Sequence, residues 1–101
     1  MQNIEIEYTK KYVQRVLERL YYFKKVAENG NTDAIVIVTD ILEAAKRCDF
    51  TDSQKRVFKL RYLLEYTQAE IAEEMGISHQ GVDKHLGFIV NKVFNIVNGE
   101  V

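Results

Sequence analysis

TQAEIAEEMGISHQGVDKHL, Thr67–Leu86, is the stretch on which the fold turns. Thr67 with Glu70 three residues on forms a capping box, and it opens a short helix whose inward side chains are Ile71, Ala72 and Met75. Gly76 can adopt the left-handed backbone that ends a helix, and Ser78 can cap the next one. Two helices joined by so short a turn meet at a steep angle, so their closest point holds only a small side chain, here Ala72. Ile71, Met75, Ile77, Val82 and Leu86 then point inward and lock the pair, while His79, Gln80, Asp83, Lys84 and Gly87 point outward. The spacing is that of a helix-turn-helix.

The flanks extend the helical pattern. Upstream, Thr51 with Gln54 is a second capping box, and the helix it opens runs to about Leu64. Its apolar residues are Val57, Phe58, Leu60, Tyr62 and Leu64, which leaves Lys55, Arg56, Lys59 and Arg61 exposed or at the margin. Downstream of Ser78 the last helix continues to about Val97, with Val82, Leu86, Ile89, Val90, Val93, Phe94 and Val97 on its apolar side. Near the start, Val13, Val16, Leu17, Leu20, Phe23 and Val26 or Ala27 place one helix from Tyr8 to Glu28. Asn29, Gly30 and Asn31 make the turn after it, and Asn31 or Thr32 with Asp33 can cap its successor. The β-branched run Ile35–Thr39 would read as a strand alone. Its continuation Asp40–Arg47 is strongly helical, and Ile35, Val38, Ile41 or Leu42, and Ala45 make one stripe, so a helix is expected over 33–47.

An all-α fold of about five helices follows, a helical hairpin ahead of a carboxyl-terminal helix-turn-helix. The expected division is 1–49, a dimerisation or docking segment, and 50–101, a DNA-binding segment. Composition agrees: the 101 residues include no proline and five glycines, so few sharp turns are available. Lys and Arg number 14 against 15 Asp and Glu, which excludes a histone-like polycation. The single cysteine, Cys48, excludes a disulfide scaffold and is expected to pack near a helix end, and no Cys/His spacing suits structural zinc. No catalytic residues, metal or cofactor are expected, because no nucleophile–base pair, phosphate-binding glycine loop or ligand spacing stands out. No apolar run approaches the ~20 residues that cross a bilayer, and the protein is expected in the cytoplasm, associated with the nucleoid.

An exposed helix start with polar outward residues suits the major groove, whose width admits one helix and whose floor displays hydrogen-bonding groups. Gln80 can pair with the N6 and N7 groups of adenine, and Lys84 can donate to guanine or phosphate. His79 can donate from the first turn or stand merely solvated. Asp83 repels phosphate unless it accepts from cytosine or pairs with Lys84, and so can act against wrong sequences. Lys55, Arg56, Lys59, Arg61, Thr67, Gln68 and Ser78 are candidates for phosphate contact, which sets register rather than sequence. His85 is expected to pack inward. The basic face at 10–25 fits either a solvated helix surface or a second contact with DNA or an acidic partner.

FTDSQKRVFKLRY, Phe50–Tyr62, followed by Thr67–Ser78, resembles region four of bacterial sigma factors, the module that recognises the promoter −35 element. The likeness extends over roughly 50–97. It implies that His79, Gln80 and Lys84 read bases. VDKHLGFIVNKV, Val82–Val93, is more distantly similar to the end of the LuxR-type domain. Phage and Gram-positive regulators of late genes have similar carboxyl halves. A complete sigma factor also melts DNA and grips polymerase through a separate domain with a long basic, aromatic-rich helix. Two amphipathic helices do not supply that, so the chain is not expected to initiate transcription alone. The expectation is a regulator that binds double-stranded DNA as a homodimer, since two copies add half-sites, with RNA polymerase a further candidate partner. Two alternatives remain: an adaptor that binds RNA polymerase or a sigma partner instead of DNA, and a small phage packaging (terminase) subunit.

Overall fold

The computed structural model describes residues 6–99. These form six α-helices: α1 (Lys10–Glu18), α2 (Leu20–Glu28), α3 (Thr32–Arg47), α4 (Asp52–Phe58), α5 (Gln68–Met75) and α6 (His79–Val97), with a π-helical turn at Lys59–Leu63 after α4. Side-chain caps start five of them. Thr9 accepts from the Tyr12 amide at 3.1 Å and Asn31 from the Ala34 amide at 3.0 Å. Thr51–Gln54 and Thr67–Glu70 are reciprocal capping boxes, and Ser78 accepts from the Gly81 amide at 3.0 Å. Each cap satisfies an amide that the helix itself cannot.

One core runs through the molecule, from Val13, Val16, Leu17 and Leu20 through Ile37 and Ile41 to Val57, Leu60, Ile71, Val82, Ile89 and Val93. The last helix is its axis, touching α1, α3, α4 and α5. A lysine fastens it on the outside. Lys92 donates to the Asp49 carbonyl at 2.7 Å and to Gln54 Oε1 at 2.8 Å, so the buried Gln54 ties the start of α4 to α6. At the far end Asn98 Nδ2 donates to the Tyr8 carbonyl at 3.0 Å, and the Tyr8 hydroxyl donates to Asp40 at 2.7 Å. Burial and the Asp40 carboxylate hold that hydroxyl above the ordinary tyrosine range. Among the described residues, no helix is long and apolar enough to cross a membrane.

Three expectations need correction. The helix expected over Tyr8–Glu28 is two helices with a break at Arg19, whose backbone leaves the helical region (φ −115°, ψ 27°). Neither proline nor glycine causes the break. Tertiary packing accounts for it: α1 lies on α6 while α2 lies on α3, and one straight rod could not follow both. The second correction concerns α3, whose buried residues are Ala34, Ile37, Ile41 and Ala44. Ile35 is 45% exposed, and Val38 and Ala45 are only partly covered. The inward stripe is therefore set one residue earlier than the large side chains suggest, and its alanines allow close approach to the flanking helices. The third is Leu64, expected in the core and 51% exposed. The π-helical turn, closed by the Leu64 amide on the Lys59 carbonyl at 2.9 Å, inserts an extra residue that brings Tyr62 inward and swings Leu63 and Leu64 out.

Candidate nucleic-acid interface

The elbow between α5 and α6 is built from backbone chemistry. Gly76 sits at φ 66°, ψ 35°, a conformation that glycine adopts without the clash a β-carbon brings. The Ile77 amide donates to the Ala72 carbonyl at 3.0 Å and the Gly76 amide to the Glu73 carbonyl at 3.3 Å, the paired bonds of a Schellman ending. Ile71 and Val82 are fully buried on either side of the elbow, Ala72 is 8% exposed at the crossing, and Met75, Ile77 and Leu86 pack at its margin.

This packing leaves the opposite face of α6 open. His79, Gln80, Asp83 and Lys84 are all exposed, and Ser78, Gln80, Gly81, Asp83 and Lys84 line one shallow recess. A helix start carries partial positive charge and amides with no helical partner, both suited to an anionic group. Ser78 uses its oxygen as the cap and keeps its hydroxyl hydrogen to donate outward. Thr67 Oγ1 likewise caps α5, accepting from the Glu70 amide at 3.1 Å. The Thr67 amide and hydroxyl hold the Glu70 carboxyl below its usual range, so it stays charged at that helix start.

The remaining sequence candidates are scattered. Gln68 is half-buried in a groove it shares with Asp83, Leu86, Gly87 and Asn91. Arg56 points from α4 toward α5 and approaches Glu74 at 3.6 Å, with both side chains exposed. Arg61 is half-buried and donates to the Tyr66 carbonyl at 3.0 Å, bracing the loop where Glu65 takes a positive φ of 60°. Lys55 and Lys59 do not reach the Ser78–Lys84 recess: they rim a separate, apolar groove with Leu42, Phe50, Phe58 and Leu63. His85 is half-buried as expected, its Nδ1 covered and without a partner among the described residues. Cys48 is half-buried against the core, and burial pushes its thiol up.

One neighbour of the site is legible only in three dimensions. Lys10, Gln14 and Glu18 of α1 line the same groove as Gln68, Asp83, Gly87 and Asn91. Local sequence gives α1 a polar face but nothing that says what the face adjoins.

An all-helical protein whose last two helices form a tightly capped elbow, with the second helix start exposed, is a helix-turn-helix protein. Residues 51–92 match the family model described as sigma-70, region 4, so this segment is a helix-turn-helix of the sigma region 4 type. The match begins at the cap of α4 and ends at Lys92, within α6. Comparison with curated proteins and with solved structures gives no match.

Proposed function

We propose that the protein binds double-stranded DNA in a sequence-specific manner and regulates transcription, with the start of α6 in the major groove. The observation that carries this is the open Ser78–Lys84 face, set on a rigid elbow within the segment that matches sigma-70 region 4. Gln80 pairs with adenine, Lys84 donates to guanine or phosphate, His79 donates from the first turn, and Asp83 penalises sequences that offer it no donor. Ser78 lines that face and Gln68 shares a groove with Asp83; with Thr67 they hold phosphate, and Lys55, Arg56, Lys59 and Arg61, outside the Ser78–Lys84 recess, add cationic contacts to more distant phosphates. The α1–α3 half mediates self-association, so that two copies read two half-sites.

A second reading has one observation in its favour. The groove between α3 and α4 is lined by Leu42, Ala45, Phe50, Phe58 and Leu63 and rimmed by Lys46, Lys55 and Lys59. Such a surface suits an adaptor that docks RNA polymerase or a sigma partner. Duplex fragments selected from random DNA separate the two. Gln80→Ala and Lys84→Ala, each leaving the fold intact, are expected to weaken the selected duplex by about 1–3 kcal/mol per lost base contact. Absence of any duplex binding by the unaltered protein at low salt rejects the DNA reading.

A further inference from the structure

We infer that the outer face of α1, centred on Arg15 and Arg19, is a second contact for the DNA backbone, flanking the strand-facing side of α6. The inference rests on the DNA-binding reading above and adds to it a surface outside the helix-turn-helix.

Three observations lead to it. The first is orientation. Asn98, just past the end of α6, bonds the Tyr8 carbonyl just before α1, while Glu18 at the other end of α1 shares a groove with Asp83 and Gln68. The two helices therefore run antiparallel, and the carboxyl end of α1 lies beside the exposed start of α6. The second is continuity. Lys11, Gln14, Arg15, Glu18 and Arg19 line one shallow depression, and Gln14 and Glu18 also line the groove that reaches Asp83, Gly87 and Asn91. The hydrogen-bonded pair Gln14–Glu18 is thus the shared wall through which the α1 face adjoins the proposed reading face.

The third observation is charge. From Thr67 to Asn91 the helix-turn-helix carries four carboxylates, Glu70, Glu73, Glu74 and Asp83, against Lys84 alone. An acidic reading unit needs cations from neighbouring elements to hold a polyanion. From Lys10 to Arg19 the chain supplies Lys10, Lys11, Arg15 and Arg19 against Glu18, all exposed. Gln14 Nε2 donates to Glu18 Oε1 at 3.2 Å. Among the described residues, none of the four cations is held in an ion pair within 4.0 Å. Arginine also suits the task because its planar fork matches phosphate oxygens.

The test compares, on the full chain, the pair Arg15→Gln with Arg19→Gln and a control at the far end of α6, Arg47→Gln. Arg47 lines a recess with Ile96 and Val97 at the far end of α6, roughly 28 Å from its start at 1.5 Å per residue. Affinity for a selected duplex is measured across a salt series. Each phosphate contact contributes about 0.9 to the slope of log K against log salt, so the α1 pair is expected to reduce the slope by about 1.8. The Arg47→Gln control is expected to leave it unchanged, and Arg15→Lys with Arg19→Lys to restore most of it. An unchanged slope for the α1 pair, or the same reduction per charge removed by Arg47→Gln, overturns the inference and leaves the DNA-binding reading standing. Absence of duplex binding by the unaltered protein rejects that reading, and this inference with it.

Discussion

Gly76 and Gly87 offer the sharpest test of the elbow, because the space around them is the same and their backbones are not. A β-carbon added at either position meets no heavy atom within 4 Å. Steric crowding therefore predicts that alanine is neutral at both. Backbone conformation predicts opposite signs. At Gly76, with φ 66°, alanine must occupy the left-handed region at a cost of about 1–2 kcal/mol. At Gly87, in the interior of α6, alanine removes glycine's helix penalty and stabilises by about 0.8–1 kcal/mol. With a urea m-value of about 2 kcal/mol/M, the midpoint falls by about 0.5–1 M for Gly76→Ala and rises by about 0.4–0.5 M for Gly87→Ala. Urea unfolding followed by far-UV circular dichroism reads both shifts. Gly76→Asn should recover part of the loss, because asparagine tolerates the left-handed region better than alanine. Equal effects of one sign at both glycines would refute the assignment of Gly76 as the left-handed hinge.

Other outcomes follow from the packing and the charges. Ile71→Ala opens a cavity where α5 meets α6 and should cost about 2–5 kcal/mol in the same unfolding assay; a loss under 1 kcal/mol contradicts its placement. Lys92→Met keeps the aliphatic stem but removes the bonds to Asp49 and Gln54, a loss of about 1.5–3 kcal/mol, whereas an unchanged midpoint shows the clamp is unformed in solution. Glu70 should titrate below the ordinary glutamate value of about 4.3 in a carboxyl NMR titration. Because its folded pKa is depressed, its contribution to stability is present above that value and lost as pH falls through the folded pKa, and Thr67→Ala should return the titration toward normal.

The residues that set element boundaries were legible because their signals are local. Thr51, Thr67 and Ser78 announce helix starts through a hydroxyl and a spacing, and Gly76 announces an end. The inward residues of the elbow were legible for the same reason, since Ile71, Val82 and Ile89 repeat at helical intervals. The break at Arg19 and the π-helical turn after Phe58 were not, since neither contains a residue that demands its conformation. The partners of α1 and α2, and the burial of Tyr62, impose them from a distance. In α3 the run Ala34–Val38 is apolar at every position, so periodicity could not select a face, and the small Ala34 rather than Ile35 lies inward. At the site, the outward residues of α6 could be read from the sequence, whereas the apposition of α1 could not. It depends on Tyr8 meeting Asn98 across nearly the whole chain.

Amide chemical-shift mapping of the protein titrated with a selected duplex tests whether the start of α6 enters the groove. The largest changes should fall on Ser78–Lys84, with smaller ones at Thr67, Gln68 and the end of α1. Changes confined to Leu42, Phe50, Phe58 and Leu63, with Gln80 and Lys84 unmoved, would contradict it.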